Sequence, residues 1–317
     1  MISNNLELQR GRYGWRCHVP GVRRYRRWHL HKLRTPAQRM RRKAGRQVEI
    51  YVISQAVEDR MHTPRLLKAA GIKFTLVLDN IEQAHAAHRM GYKHYFSTDG
   101  AKGIVAKRNA ITARAHGWYI GMDDNIQEFQ TVAKEFISKE RLETAAPLGR
   151  ANWRGVFNKT ASPKDYIDYL HVLTAVCRLR GTVYGGVATM ENPFFRGGKR
   201  YAFRRFVKSK VFVMDAKPQL QFKHALCHDS YMTAQVIAKY GSVVVDQRLF
   251  YKAKWYERGG LGSRQAREQA GLLGQLDECV AEFPGLVGLG KGKNTALRVL
   301  RFTDASVDAW RQEHGYL

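Results

Sequence analysis

The sequence predicts an α/β protein: a mostly parallel, twisted sheet with helices on both faces, preceded by a basic arm and followed by a C-terminal, mostly helical extension. Three observations carry this. From residue 47 onward, apolar runs of strand length alternate with amphipathic segments of helix length across short loops, the pattern of a parallel sheet covered on both faces. The apolar runs end on polar residues, at Ser54-Gln55, Asp79, Ser97-Thr98 and Asp123-Asp124-Asn125, and such sheets place ligands beyond the carboxyl ends of their strands. Composition also changes sharply at residue 47. The expected division is an arm over 1–46, a core over 47–260 with halves 47–129 and 130–260, and an extension over 261–317.

Charge speaks to partners. The chain carries 54 Lys and Arg against 27 Asp and Glu, a net +27. Fourteen of those basic residues, and no acidic one, fall within 10–46, interleaved with Tyr13, Trp15, Tyr25 and Trp28. Guanidinium groups neutralise phosphates, and aromatic faces stack on bases for about 1–3 kcal/mol each. Arg23, Arg24, Arg26, Arg27, Trp28, Arg41, Arg42 and Lys43 are therefore the nucleic-acid-binding candidates, with double-stranded DNA as the expected partner. A solvated arm without a ligand, or an Arg-rich transit peptide, are the other readings. No run approaches the length of a membrane span, and the first residues lack an apolar signal core. The four cysteines stand far apart with no CxxC pair, which fits a reduced cytoplasmic location and argues against a zinc knuckle.

Taken in order, 48–53 reads as a buried strand. Thr63-Pro64 opens a short helix as cap and first turn, and Gly71 closes it. Strand 73–78 ends at Asp79. A helix through Ala84, Ala87 and Met90 stops at Gly91, followed by strand 94–96, helix 104–116 and strand 118–122. Residues 130–160 read as polar and irregular. Ser162 to Asp165 caps a long helix with Ile167, Leu170, Leu173 and Val176 on one face. Strands are expected over 184–188, 210–214 and 242–246, with a helix over 230–239. The glycines of the first admit either close approach of a ligand or a hairpin turn. The basic loop 252–264 reads as a lid over a diphosphate or as a linker. A helix carrying Ala266, Leu273, Leu276 and Val280 follows. The run 285–291 lacks the Ser or Thr of a phosphate loop and no strand precedes it. A strand over 297–302 and a helix over 304–314 end the chain.

Two constellations carry chemistry. Asp123, Asp124 and Asn125 at a strand end suit a hard divalent cation, Mg²⁺ or Mn²⁺, holding a diphosphate, or Asp123 and Asp124 are turn residues capping the next helix. Lys107 and Arg108 on the preceding helix offer donors to a phosphate, as do Lys254 and Arg264 further on. His228-Asp229 at a helix start is either a cap or, in a cleft facing the first group, a base for an attacking hydroxyl.

The stretch 103–125, with Gly103, Arg108-Asn109, Gly117, the strand 118–122 and Asp123 to Asn125, resembles the GT-A-fold glycosyltransferases. The resemblance spans about 47–260. It implies a nucleotide-sugar donor, UDP-linked, with Ser54 and Gln55 at the base, Asp79 near base or ribose, and Asp123, Asp124 and Asn125 around diphosphate and metal. His228-Asp229 fall where the family has its catalytic base. Asn125 stands where many members have a metal-binding Asp, and His228 replaces the usual acidic neighbour. The combination with a basic, GG-containing C-terminal part is similar to the phage glycosyltransferases associated with TET/JBP-type base oxidation. That similarity implies transfer to a hydroxyl on a modified base such as 5-hydroxymethylcytosine in DNA. A carbohydrate, lipid or protein acceptor, a nucleic-acid-binding protein with an inactive transferase core, and a nucleotidyltransferase are the rival expectations.

Overall fold

The computed structural model describes residues 8–11, 14–17, 48–55, 58–132, 158–188, 200–253, 274–290, 299–302 and 307–316. Two units divide the chain, Met1–Thr35 and Pro36–Leu317. In the first, β1 (Leu8–Gly11) and β2 (Gly14–Cys17) pair antiparallel, Leu8 opposite Cys17 and Gly11 opposite Gly14. Charge dominates the reading of the basic arm, and this hairpin was not expected within it.

The second unit is built on β3 (Glu49–Ile53), β4 (Thr75–Leu78), β5 (Tyr95–Ser97) and β6 (Trp118–Asp123), all parallel. With β9 (Tyr184–Val187), β10 (Tyr201–Ala202), β11 (Val211–Asp215) and β12 (Val244–Asp246) they form an eight-stranded sheet in the order β10-β12-β9-β11-β6-β3-β4-β5. Only β10 and β11 run against the rest. The fold is thus α/β with a mostly parallel mixed sheet, compatible with a Rossmann-like arrangement. Chain order proceeds outward from β3 through β4 to β5, then returns to the other flank of β3 as β6. The switch point lies between β3 and β6, where an open α/β sheet leaves a crevice.

Side chains alternate across this sheet, as the period of two requires. Val52, Leu76, Ile120, Met122, Val211 and Val213 point into one apolar layer, and Tyr51, Val77, Tyr119, Phe212 and Met214 into the other. The first layer is covered by α1 (His62–Ala69), α2 (Ile81–Arg89) and α4 (Pro163–Leu179) through Leu67, Ala84, Ala87, Leu170 and Leu173. The second is covered by α3 (Ile104–Arg114) and α5 (His228–Tyr240) through Ile111, Tyr231, Ala234 and Ile237. The stop signals Gly71 and Gly91 hold physically, with φ of +67° and +77°, and Gly241 ends α5 in the same way at +75°, a region costly for residues with a Cβ. Ser162 accepts from Asp165 N at 3.1 Å as the cap of α4.

Several expectations are corrected. Both ends of the stretch 130–160 are strand rather than irregular: β7 (Ile126–Val132) pairs with β8 (Asn158–Thr160) and β13 (Leu249–Ala253) in a separate three-stranded sheet. Asp124-Asn125 therefore carry the chain from one sheet to the other and cap no helix. Helix α5 starts at His228, two residues earlier than the periodicity indicated. Gly185 and Gly186 are closely packed inside the protein: a Cβ on Gly185 would lie 2.6 Å from Cys177 Sγ, and one on Gly186 2.5 Å from Val207 Cγ1, while the glycines at 197 and 198 lie outside the described residues. Residues 285–291 contribute β14 (Val287–Gly290), paired with β15 (Val299–Phe302). The C-terminal part is not a mere extension. Leu276 and Cys279 of α6 (Gly274–Glu282) and Trp310 of α7 (Val307–Glu313) are buried in the same apolar layer as α5. Arg311 Nε also donates to Ala238 O on α5 at 3.0 Å. Among the described residues no helix is long and apolar enough to cross a membrane.

Among the described glycines of the central sheet, Gly121 leaves the least room for a side chain. This residue pairs with Phe212 across β6 and β11, and a Cβ there would lie 2.2 Å from Phe212 Cζ. The Phe212 ring packs edge-on against Tyr119, Tyr184 and Phe222, so it has no open direction in which to retreat. Gly121→Ala is expected to destabilise the protein by about 1–3 kcal/mol, the usual cost of overpacking, measured by urea denaturation. Wild-type stability in that variant would show that the ring yields freely.

Candidate functional site

Ser54 leaves the end of β3 and Asp123-Asp124 the end of β6, on the two sides of the switch point. Ser54 Oγ donates to Asp124 Oδ2 at 2.8 Å, closing the gap between the two strands. The crossing itself is held by Thr63 of α1. Its hydroxyl donates to Asp123 O at 2.6 Å and accepts from Ile126 N at 2.9 Å, and its N–H donates to Asp124 O at 2.9 Å. Thr63 is therefore no helix cap: Met61 occupies that position, and Thr63 is fully buried against the acidic turn. Burial pushes the Asp124 carboxyl up to about 6; Asp123 adds to this, while Ser54, the Gln55 N–H and Lys107 pull the other way. Gln55 is exposed, and its side chain accepts from Arg60 Nη1 at 3.0 Å.

Lys107, Arg108 and Asn109 are successive residues on α3, and each anchors a different place. Lys107 Nζ pairs with Asp79 Oδ2 at 2.9 Å and donates to Ser54 O at 2.8 Å. Asp79 also accepts from Gly103 N at 3.1 Å, at the start of α3. Burial works to raise the Asp79 carboxyl, but Lys107, Gly103 and Gln83 together hold it below its usual range. Asn109 makes a two-way pair with the Phe222 backbone, accepting from N at 2.7 Å and donating to O at 3.0 Å. Between them stands Arg108, 1% exposed. Its Nη1 meets Asp229 Oδ1 at 2.9 Å, and its Nη2 meets Asp123 Oδ1 at 3.4 Å and Ser209 O at 2.7 Å. The Phe212 and Phe222 rings flank the guanidinium, with centroids 5.6 and 5.3 Å from Cζ.

Asp123 and Asp229, 106 positions apart in sequence, thus share one cation. Asp229 is on the first turn of α5, and His228 Nε2 lies 2.8 Å from its Oδ1 while His228 Nδ1 donates to Ala225 O at 2.9 Å. Both ring nitrogens face acceptor oxygens, so His228 steers Asp229 and is not itself turned toward a proton to remove. Burial works to raise the Asp229 carboxyl, yet His228, Arg108 and Ser209 hold it far below the usual carboxylate range. The group is ionised at any physiological pH.

The two donors expected to contact a diphosphate, Lys107 and Arg108, are corrected: both are buried and committed to Asp79, Asp123 and Asp229. The expected metal set also fits poorly. Asp124 turns its carboxylate to Ser54, Asp123 gives Oδ1 to Arg108, and Asn125 Oδ1 accepts from Lys210 Nζ at 3.4 Å. A Mg²⁺ or Mn²⁺ site needs oxygens converging on one point; here one oxygen of each of the three residues is turned to a different donor, two of which are cations. Among the described residues no set of three or more acidic, His or Cys side chains is arranged to hold a metal ion. Lys254, Arg264 and the arm residues Arg23, Arg24, Arg26, Arg27, Trp28, Arg41, Arg42 and Lys43 lie outside the described residues.

Sequence reading missed Thr63, Ser209, Lys208 and Lys210. Ser209 is fully buried and pairs its hydroxyl with Tyr184 OH at 2.7 Å. Lys208, half-buried, has its pKa lowered by burial and by Lys210, while Asp229 and Asp123 act on it in the opposite sense. The signal was present as a Lys-Ser-Lys run just before β11, but a basic pair beside a strand is ordinary at a surface.

Removing Arg108 leaves two part-buried carboxylates without their shared partner, so Arg108→Met is expected to cost about 3–5 kcal/mol in chemical denaturation. Arg108→Lys should rescue little, because an ammonium lacks the fork that spans both acids; a fully stable Lys variant would refute the bridging role. Asp124 predicts an opposite pH signature. Its pKa is raised in the folded state, so its contribution is fully present below the ordinary carboxylate value and is lost as pH rises through about 6. Asp124→Asn is therefore expected to raise the melting temperature above pH 6 and to give no gain at pH 4, measured as a stability–pH profile.

No protein-family model matches the chain and no curated protein is significantly similar to it, so a functional reading rests on the arrangement of Asp123, Asp124, Asp229 and their partners.

Proposed function

We propose that the protein transfers a sugar from a nucleoside-diphosphate sugar to a hydroxyl group, the acceptor being a hydroxymethylated base in DNA. The observation that carries this reading is the Arg108 bridge, which holds Asp123 at the switch-point crevice and Asp229 at the start of α5 in one cluster. A donor laid across the ends of β3 and β6 has Asp229 on the side where an acceptor approaches.

The bond from the anomeric carbon to the phosphate oxygen breaks, and the diphosphate leaves with the electron pair. The acceptor oxygen forms the new bond to that carbon, and its proton passes to Asp229. A carboxylate this acidic is a weak base, so it first orients the hydroxyl and takes the proton only once the new bond is well advanced. Asp124 and Ser54 close the floor of the crevice beneath the nucleotide. Support for the DNA acceptor comes from the +27 charge and the aromatic-interleaved arginines of 10–46.

The test is a screen of nucleotide sugars, UDP-linked first, with duplex DNA containing or lacking 5-hydroxymethylcytosine, read by nucleoside mass spectrometry. Sugar addition to the modified base only is expected. Asp229→Asn should lower the rate about 10²–10⁴-fold, the usual weight of a general base, while DNA affinity stays unchanged. Transfer to a sugar or lipid alone would remove the DNA acceptor. Release of pyrophosphate from a nucleoside triphosphate would instead favour nucleotidyl transfer.

A further inference from the structure

The poor fit of Asp123, Asp124 and Asn125 to a divalent ion raises the question of how the charge of a departing diphosphate is met. We propose that Lys208 and Lys210 meet it, so that donor binding needs no metal; the proposal rests on the transferase reading. Lys210 lies alongside the acidic turn: its backbone O accepts from Asp123 N at 2.9 Å, and its Nζ reaches Asn125 Oδ1 at 3.4 Å. Two residues earlier, Lys208 is near enough to Asp123 and Asp229 for both carboxylates to act on its ammonium. The residue between them cannot drift. Ser209 is fully buried, its carbonyl accepts from Arg108 and its hydroxyl is bonded to Tyr184.

The charge of Lys210 and burial both disfavour the charged form of Lys208, while Asp229 and Asp123 favour it. A diphosphate placed beside both ammonium groups would add to the favourable side. The lysines thus form a prepared cationic site at the carboxyl edge of β6, where the proposed donor lies, and preorganised cations aimed at developing charge stabilise a leaving group. Lys210 Nζ already reaches Asn125 Oδ1, one of the oxygens that a metal at the acidic turn would need.

The experiment is isothermal titration calorimetry of the full chain with UDP and with inorganic pyrophosphate, first in EDTA and then with Mn²⁺. Binding in EDTA, little altered by Mn²⁺, is expected. Lys208→Gln and Lys210→Gln should each weaken it about tenfold or more, the weight of a charged hydrogen bond, while Lys208→Arg and Lys210→Arg retain most of it. Melting curves of each variant separate a lost contact from a lost fold, and the Arg variants give the answer if the Gln variants unfold. Binding that requires Mn²⁺, or that ignores both Gln substitutions, overturns the proposal and leaves the transferase reading standing. Failure of wild-type protein to bind either probe, with or without Mn²⁺, overturns the transferase reading and this proposal with it.

Discussion

The structure depends on one buried guanidinium. A cation as enclosed as Arg108 is unfavourable unless its partners compensate for lost water, and they come from three separate parts of the chain: Asp123 ends β6, Asp229 begins α5, and Ser209 precedes β11. Remove the arginine and the two carboxylates face each other as like charges. Its neighbours extend the same logic. At about 100° per residue, three successive positions on a helix point in three directions. Lys107 therefore reaches β3 and β4 through Ser54 and Asp79, and Asn109 reaches Phe222, whose ring in turn flanks Arg108. One turn of α3 thus sets the relative positions of the strand ends, α5 and the Phe222 segment.

Electrostatics then separates acids that look alike in sequence. Asp123, Asp124 and Asp229 lie in one neighbourhood, yet Asp124 is pushed up to about 6 and Asp229 is driven far down. The difference lies in the partners. Lys107 is bonded to Asp79 and acts on Asp124 only through its charge, so a hydroxyl and an N–H are the direct contacts set against burial there, while Asp229 is in contact with both Arg108 and His228. Environments that push paired acids apart are what give them different tasks.

Much of the fold was legible because the central strands are buried on both faces. Runs such as 48–53 and 118–122 need no partner information to be recognised, and glycines at 71 and 91 mark helix ends by conformations that other residues resist. The three-stranded sheet was not legible. Strand β7 pairs with β13, more than a hundred residues away, and the alternation in 126–132 was obscured by its Gln and Glu. The acidic turn and His228-Asp229 were found as patterns, but their partners were not. Whether Lys107 and Arg108 reach outward to a ligand or inward to an acid depends on the exposure of one helix face, which is a property of packing. Thr63 illustrates the same limit: Thr-Pro is a good helix-start signal, and tertiary hydrogen bonds to Asp123 and Ile126 override it.

Asp229 and Lys208 are linked through the energetics of the proposed reaction. A carboxylate held so firmly in its ionised form gives little drive to early proton removal, so the acceptor oxygen must attack while still largely protonated. That suits a transition state in which the bond to phosphate is already mostly broken. Such a transition state concentrates negative charge on the departing diphosphate, and the demand for catalysis shifts from the base to whatever receives that charge. The acidic turn is poorly arranged to recruit a metal for the task. Lys208 and Lys210 stand beside it on a segment that Arg108 also fixes, so the same guanidinium that makes Asp229 a weak base holds in place the cations that a late proton transfer requires.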